Sequence, residues 1–93
     1  MDSTRRFEFG HIRATPGALN AIQQSGEDAL SFVVRHVGGD WGVISTADKN
    51  TNDRALIDGE RLVSAYILHS GEKIWVITEA DRSSTTILLP DDY

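Results

Sequence analysis

Apolar and polar positions change period three times along the chain. Phe7-Glu-Phe-Gly-His-Ile-Arg-Ala14 alternates with period two and breaks at Gly10, which predicts a first strand whose glycine marks a bulge or a close approach. Thr15-Pro16 announces a helix, because threonine is a good N-cap and proline suits the first helical position. Leu19 and Ile22 give that helix a short apolar stripe, and Gly26 closes it. Leu30, Val33, Val34 and Val37 then fall at i, i+3, i+4 and i+7, predicting a second helix with these four on its buried face and Gly38-Gly39 as its stop. Glu27 and Asp28 lie where that helix's dipole favours anions. Asp40-Trp41-Gly42 reads as a compact turn with the indole folded over the helix end.

From Ser45 to Gly59 the segment is mostly polar. Ser45 with Asp48 has the form of a capping box and Gly59 suits a C-terminal cap, so a third helix is expected, whole or in two pieces. Period two then returns. Arg61–Leu68 and Lys73–Thr78 form a hairpin around Ser70-Gly71, and Thr85–Leu89 makes a last strand stopped by Pro90. The order is an N-terminal strand, two or three helices, and a three-stranded antiparallel meander packed on the helices, which is the α+β class. Both faces of the meander are apolar: Val63, Ala65 and Ile67 oppose Leu62, Tyr66 and Leu68, and Trp75 and Ile77 oppose Ile74 and Val76. One face takes the helices. The other needs the Trp41 loop, the neighbours of the first strand, or a second subunit making a homodimer.

Ninety-three residues with 40% apolar and 25% charged composition make one globular domain, residues 1–93, with residues 1–6 expected to be flexible. Fourteen acids against nine bases give a formal charge of -5, which disfavours direct binding to nucleic acid. The absence of cysteine removes thiol chemistry, disulfides and cysteine-based zinc sites. The opening residues lack the apolar centre of a signal peptide and no apolar run approaches the ~20 residues of a membrane span, so a cytoplasmic protein without membrane attachment is expected.

Candidate chemistry is sparse. His36 and Asp40 stand four apart at a helix end, as a general base and its orienting carboxylate would, or as a cationic histidine on a helix C-terminus. Glu79, Asp81 and Arg82 share a turn and could join them in one cleft, which defines the enzyme or toxin reading. The simpler reading has Arg82 neutralising an acid within a charged hairpin. His11, His36 and His69 lack zinc-binding spacing, and no cofactor or metal is implied. Ser83 to Thr86 lack a nucleophile elbow, and Gly38–Gly42 lacks the lysine of a phosphate loop. Acids at helix ends, turns and tail remain, and such a surface can imitate phosphate spacing toward a basic partner.

Ala14–Leu19, Arg35-His36 with Gly39–Gly42, Arg61–Tyr66 and Ile74–Pro90 resemble a family of small proteins carried on bacterial plasmids and integrated elements, over nearly the whole chain. The resemblance implies a prokaryotic mobile-element setting without an assigned chemistry. By size and acidity the chain is also similar to anti-CRISPR proteins. That similarity implies a non-enzymatic inhibitor occupying the basic surface of a nucleic-acid-handling host complex, such as a type I CRISPR effector. Glu72, Glu79, Asp81, Asp91, Asp92 and Trp75 are the residues expected to bind. The order of helices before three strands is shared with ribosome-dependent RNase toxins, which are basic where this chain is acidic.

Overall fold

The computed structural model describes residues 5–93. β1 (His11–Ala14) leads through Thr15 into α1 (Pro16–Gln24), followed by α2 (Ala29–Val37), α3 (Thr46–Asp58), and the strands β2 (Leu62–Ile67), β3 (Lys73–Thr78) and β4 (Ser84–Leu88). A 3-10 turn, Pro90–Asp92, follows β4.

Local signals act as their chemistry dictates. The Thr15 hydroxyl accepts the Ala18 N–H, Asp28 accepts the Leu30 N–H, and Ser45 accepts the Asp48 N–H, so each helix starts on a side-chain oxygen. α3 is a single helix ended by Gly59 in the left-handed conformation at φ 74°.

The sheet differs from a simple meander. β2, β3 and β4 are antiparallel neighbours, but β1 pairs in parallel with β4, giving a mixed four-stranded sheet in the order β1-β4-β3-β2. The expected first strand from Phe7 shortens to His11–Ala14. Gly10 adopts φ 64°, and a side chain there would run into the backbone of Ser83, so the chain must turn at that point to lie beside β4.

All three helices precede the meander in sequence. Ile74 and Val76 of β3, Ile87 of β4 and Tyr66 of β2 pack against Ala18, Ala21 and Ile22 of α1 and Phe32, Val33 and Val37 of α2. A second cluster joins Trp41, Ala55 and Leu62, so the indole does cover the end of α2, lying edge-on to His36. The residues α2 buries are Phe32, Val33, His36 and Val37, while Leu30 and Val34 of the expected stripe face outward. α2 carries apolar residues around much of its circumference, and the sheet contacts only part of it.

The loose start expected for residues 1–6 lies outside the described residues for 1–4. Arg6 is anchored, its backbone N–H donating to Val37 O and its guanidinium to Gly38 O. Among the described residues no helix is long and apolar enough to cross a membrane.

Candidate functional site

The most chemically distinctive feature is buried. Ser64, Thr78 and Thr85 point inward from β2, β3 and β4 at positions where the rest of that face is apolar, and His36 descends from α2 between them, fully enclosed. His36 Nδ1 is 2.6 Å from Ser64 Oγ and Nε2 is 2.9 Å from Thr78 Oγ1. Thr78 Oγ1 lies 2.6 Å from Thr85 Oγ1, which in turn donates to Phe9 O at 2.8 Å.

Counting protons fixes the direction of this chain. A carbonyl only accepts, so Thr85 spends its hydrogen on Phe9, Thr78 must donate to Thr85, and His36 Nε2 must donate to Thr78. That leaves Nδ1 bare, accepting from the Ser64 hydroxyl. Every member is satisfied, and the chain runs from β2 to the residues entering β1. Burial holds the His36 pKa down to about 4, with the Arg82 charge adding to it, so the ring is neutral at pH 7. A serine donating to a neutral imidazole is the geometry of an activated nucleophile. Here neither group is exposed, so no substrate reaches it and the arrangement is a buried tie across the sheet.

His36 therefore neither pairs with Asp40 nor stabilises a helix end as a cation. α2 stops at Val37 and Gly39 turns the chain at φ 89°, which carries Asp40 outward. There Asp40 takes the Arg35 Nε–H at 2.7 Å and the Gly42 N–H at 3.1 Å, and the Arg35 bond holds its carboxyl below the usual range.

Arg82 does not neutralise an acid either. Its guanidinium donates to the carbonyls of Ala55, Glu60, Glu79 and Ala80, closing the C-terminal end of α3 onto the β3–β4 turn. These contacts hold it at φ 62°, a conformation usually left to glycine. Asp81 accepts the Ser83 N–H at 2.9 Å, and its bonds to Ser83 lower its pKa. Among the described residues no two of the five residues of the enzyme reading are joined side chain to side chain; Arg82 reaches Glu79 only at its backbone carbonyl. No group of three or more His, Asp or Glu side chains among them is arranged to hold a metal ion.

The residues expected to bind a partner fall at opposite ends of the sheet. Glu72, Asp91 and Asp92 lie where β3 begins and β4 ends, whereas Glu79 and Asp81 lie in the β3–β4 turn. The length of a six-residue strand, roughly 20 Å, separates the groups. Asp92 accepts the Thr15 hydroxyl at 2.6 Å and the Leu89 N–H at 3.0 Å, and both bonds lower its pKa. Glu72, Glu79 and Asp91 are exposed, with no ion pair or side-chain hydrogen bond among the described residues.

Trp75 is half-buried on the outer sheet face, where Tyr93 meets it edge-on at 5.4 Å. Tyr93 also receives the Arg61 guanidinium on its hydroxyl at 2.7 Å. The chain thus folds its own last turn over this face, and Ile77 and Leu88 are buried.

Sequence reasoning missed Ser64, Thr78 and Thr85. The available signal was hydroxyls at i and i+2 from core-facing apolar residues (Leu62-Ser64-Tyr66, Val76-Thr78, Thr85-Ile87), opposite a helix with one histidine on its buried side. No family model, curated protein or solved structure matches this chain.

Proposed function

We propose that this protein is a mobile-element-encoded, anti-CRISPR-like binding protein that inhibits a nucleic-acid-handling host complex by occupying its basic surface, acting by contact rather than by catalysis. The observation carrying this reading is the contrast in availability between the two kinds of side chain. His36 and Ser64 are sealed in the core with their polar atoms committed, whereas Glu72, Glu79 and Asp91 stand in solvent with carboxylates unpaired among the described residues, on a chain of net charge -5.

Free carboxylates steer a protein toward a basic groove and give that association a strong dependence on ionic strength. The test measures loading of labelled duplex DNA onto a purified type I CRISPR effector. The wild-type protein blocks loading, and block weakens as salt rises. The triple variant E72K/E79K/D91K loses the block while keeping its thermal midpoint, because these side chains are exposed and make no ion pair or hydrogen bond among the described residues. Asp81 and Asp92 are left intact because they hold turns. Equal block by the variant, or no block by the wild type at low salt, overturns the reading.

A further inference from the structure

β1 is an edge strand with one side open. The N–H groups of His11 and Thr15 donate to Ser83, just before β4, and to Ile87 of β4, so in this parallel pair the odd-numbered residues face β4, and Ile12 and Ala14 present their N–H and C=O outward. Among the described residues nothing pairs with them.

Beside that edge lies an apolar groove of about 400 Å³ between β1 and α2, with Ile12 on one wall, Leu30 and Val34 on the other, and Arg5 at its mouth. Ile12 is 42% exposed, Leu30 54% and Val34 65%. On the opposite face of the sheet, the alternation of the strand places His11 and Arg13, both exposed. Arg13 has no ion pair among the described residues. Arg5 at the groove is paired with Glu8 at 3.2 Å and the Asp92 carboxylate rests on Thr15 past the end of β1, so Arg13 is the cation this edge leaves unpaired among the described residues.

A strand added to this edge sends alternate side chains to the two faces. Those on one face enter the groove against Ile12, Leu30 and Val34. Those on the other lie beside His11 and Arg13. We propose that the β1 edge and its groove take up, by strand addition, an extended segment of a partner protein in which apolar and acidic residues alternate. A second copy is the wrong occupant on charge. Antiparallel self-pairing of β1 centred on Arg13 sets that guanidinium across from its own copy, and like charges directly opposite are destabilising. The site is separate from the acidic surface of the proposed function and stands whether or not that reading holds.

The probe is a short synthetic peptide alternating valine and glutamate, titrated into isotopically labelled protein and followed by amide NMR. The expected result is saturable shifts centred on Ile12, Ala14, Leu30 and Val34. A valine–lysine peptide of the same length binds at least about tenfold more weakly. Val34→Glu lies on an exposed helix face, so it leaves the fold intact and abolishes the shifts, and Arg13→Glu reverses the preference between the peptides. Absence of binding, shifts centred elsewhere, equal binding of both peptides, or sedimentation as a dimer that Val34→Glu dissociates would each overturn the proposal.

Discussion

The outward-facing backbone groups of β2 and those of β1 meet different fates, although both strands flank the same sheet. Val63 donates its N–H to Asn52 Oδ1 at 3.2 Å and receives the Asn52 amide on its carbonyl at 2.8 Å, so one side chain from α3 imitates a paired strand. Ala65 exchanges a further pair of bonds with the residues around Gly42, receiving the Val43 N–H at 2.8 Å and donating to Trp41 O at 3.2 Å. Among the described residues nothing covers Ile12 and Ala14 in this way. An unpaired edge is an aggregation hazard that folds usually suppress. Here one edge is closed by side chain and loop, and the other is only short, with exposed Arg13 beside backbone groups that are unpaired among the described residues.

Gly42 is where that comparison breaks most easily. It sits at φ 78° against the carbonyl of Ala65, and a Cβ there would overlap that oxygen. Gly42→Ala must therefore push the Trp41–Val43 segment off β2, adding left-handed strain of roughly 1–2 kcal/mol to the lost bonds and the displaced indole. The expected loss is more than about 4 kcal/mol, read as a fall in the urea midpoint, with hydrogen exchange at Ala65 speeding as its edge opens. A loss below about 1 kcal/mol would show that the loop does not seal the edge.

Acid cuts the tie between the two edges at its midpoint. His36 has a folded pKa of about 4 against an unfolded value near 6.5, so folding favours the neutral ring. Its contribution is fully present above pH 6.5 and is lost as pH falls from 6.5 toward 4, about 3 kcal/mol in total. The carboxyls of Glu27, Asp40, Asp81 and Asp92 are lowered, so what they contribute is present above the unfolded carboxylate value and disappears only as pH falls further, through their folded values. Urea midpoints between pH 7 and 4.5 separate the two windows. His36→Gln should flatten the slope there, and an unchanged slope would place the titrating group elsewhere.

Closing one edge and tying the sheet together depend on contacts that leave little trace in sequence. The helix caps at Thr15 and Ser45 were legible because they act within three residues of themselves, whereas Asp28, read only as an anion favoured by the helix dipole, is the cap of α2. The antiparallel strands were legible because Ser70-Gly71 joins two of them in a short turn. The parallel pairing of β1 with β4 was not, since Ile12 meets Thr85 across the whole intervening chain and no local signal records it. The periodicity of α2 misled for a related reason. Ala29, Leu30, Phe32, Val33, Val34 and Val37 are apolar over a wide arc, so spacing alone cannot tell Phe32, buried on the sheet, from Val34, left in solvent. Hydroxyls such as Ser64 and Thr85 read as turn or surface residues until the register sets them opposite His36.

Asn52 sharpens the contrast from the closed side. Asn52→Ala removes both partners of Val63 and leaves a donor and an acceptor poorly hydrated at a half-buried position, for an expected loss of about 2 kcal/mol. The urea midpoint reads that loss. Hydrogen exchange at Val63 should speed with it while exchange in β4 keeps its order relative to global unfolding. Sedimentation at high concentration should show more self-association than the wild type, now through β2. A fully monomeric variant would mean that α3 shields the edge sterically without the amide.

The smallest expected effect belongs to the open side and tests whether its apolar residues are spare. Leu30 and Val34 are more than half exposed, so unfolding returns little additional apolar surface to water, and L30Q/V34Q should shift stability by no more than about 0.5 kcal/mol per site. The same midpoint assay reads it. The replacements also remove apolar surface from solvent, so the double variant should be as soluble as the wild type or more so. A loss as large as that of Asn52→Ala would mean that the groove is closed in solution and that Leu30 and Val34 belong to the core. The β1 edge would then be covered by the chain itself, and its unpaired backbone would no longer differ in kind from that of β2.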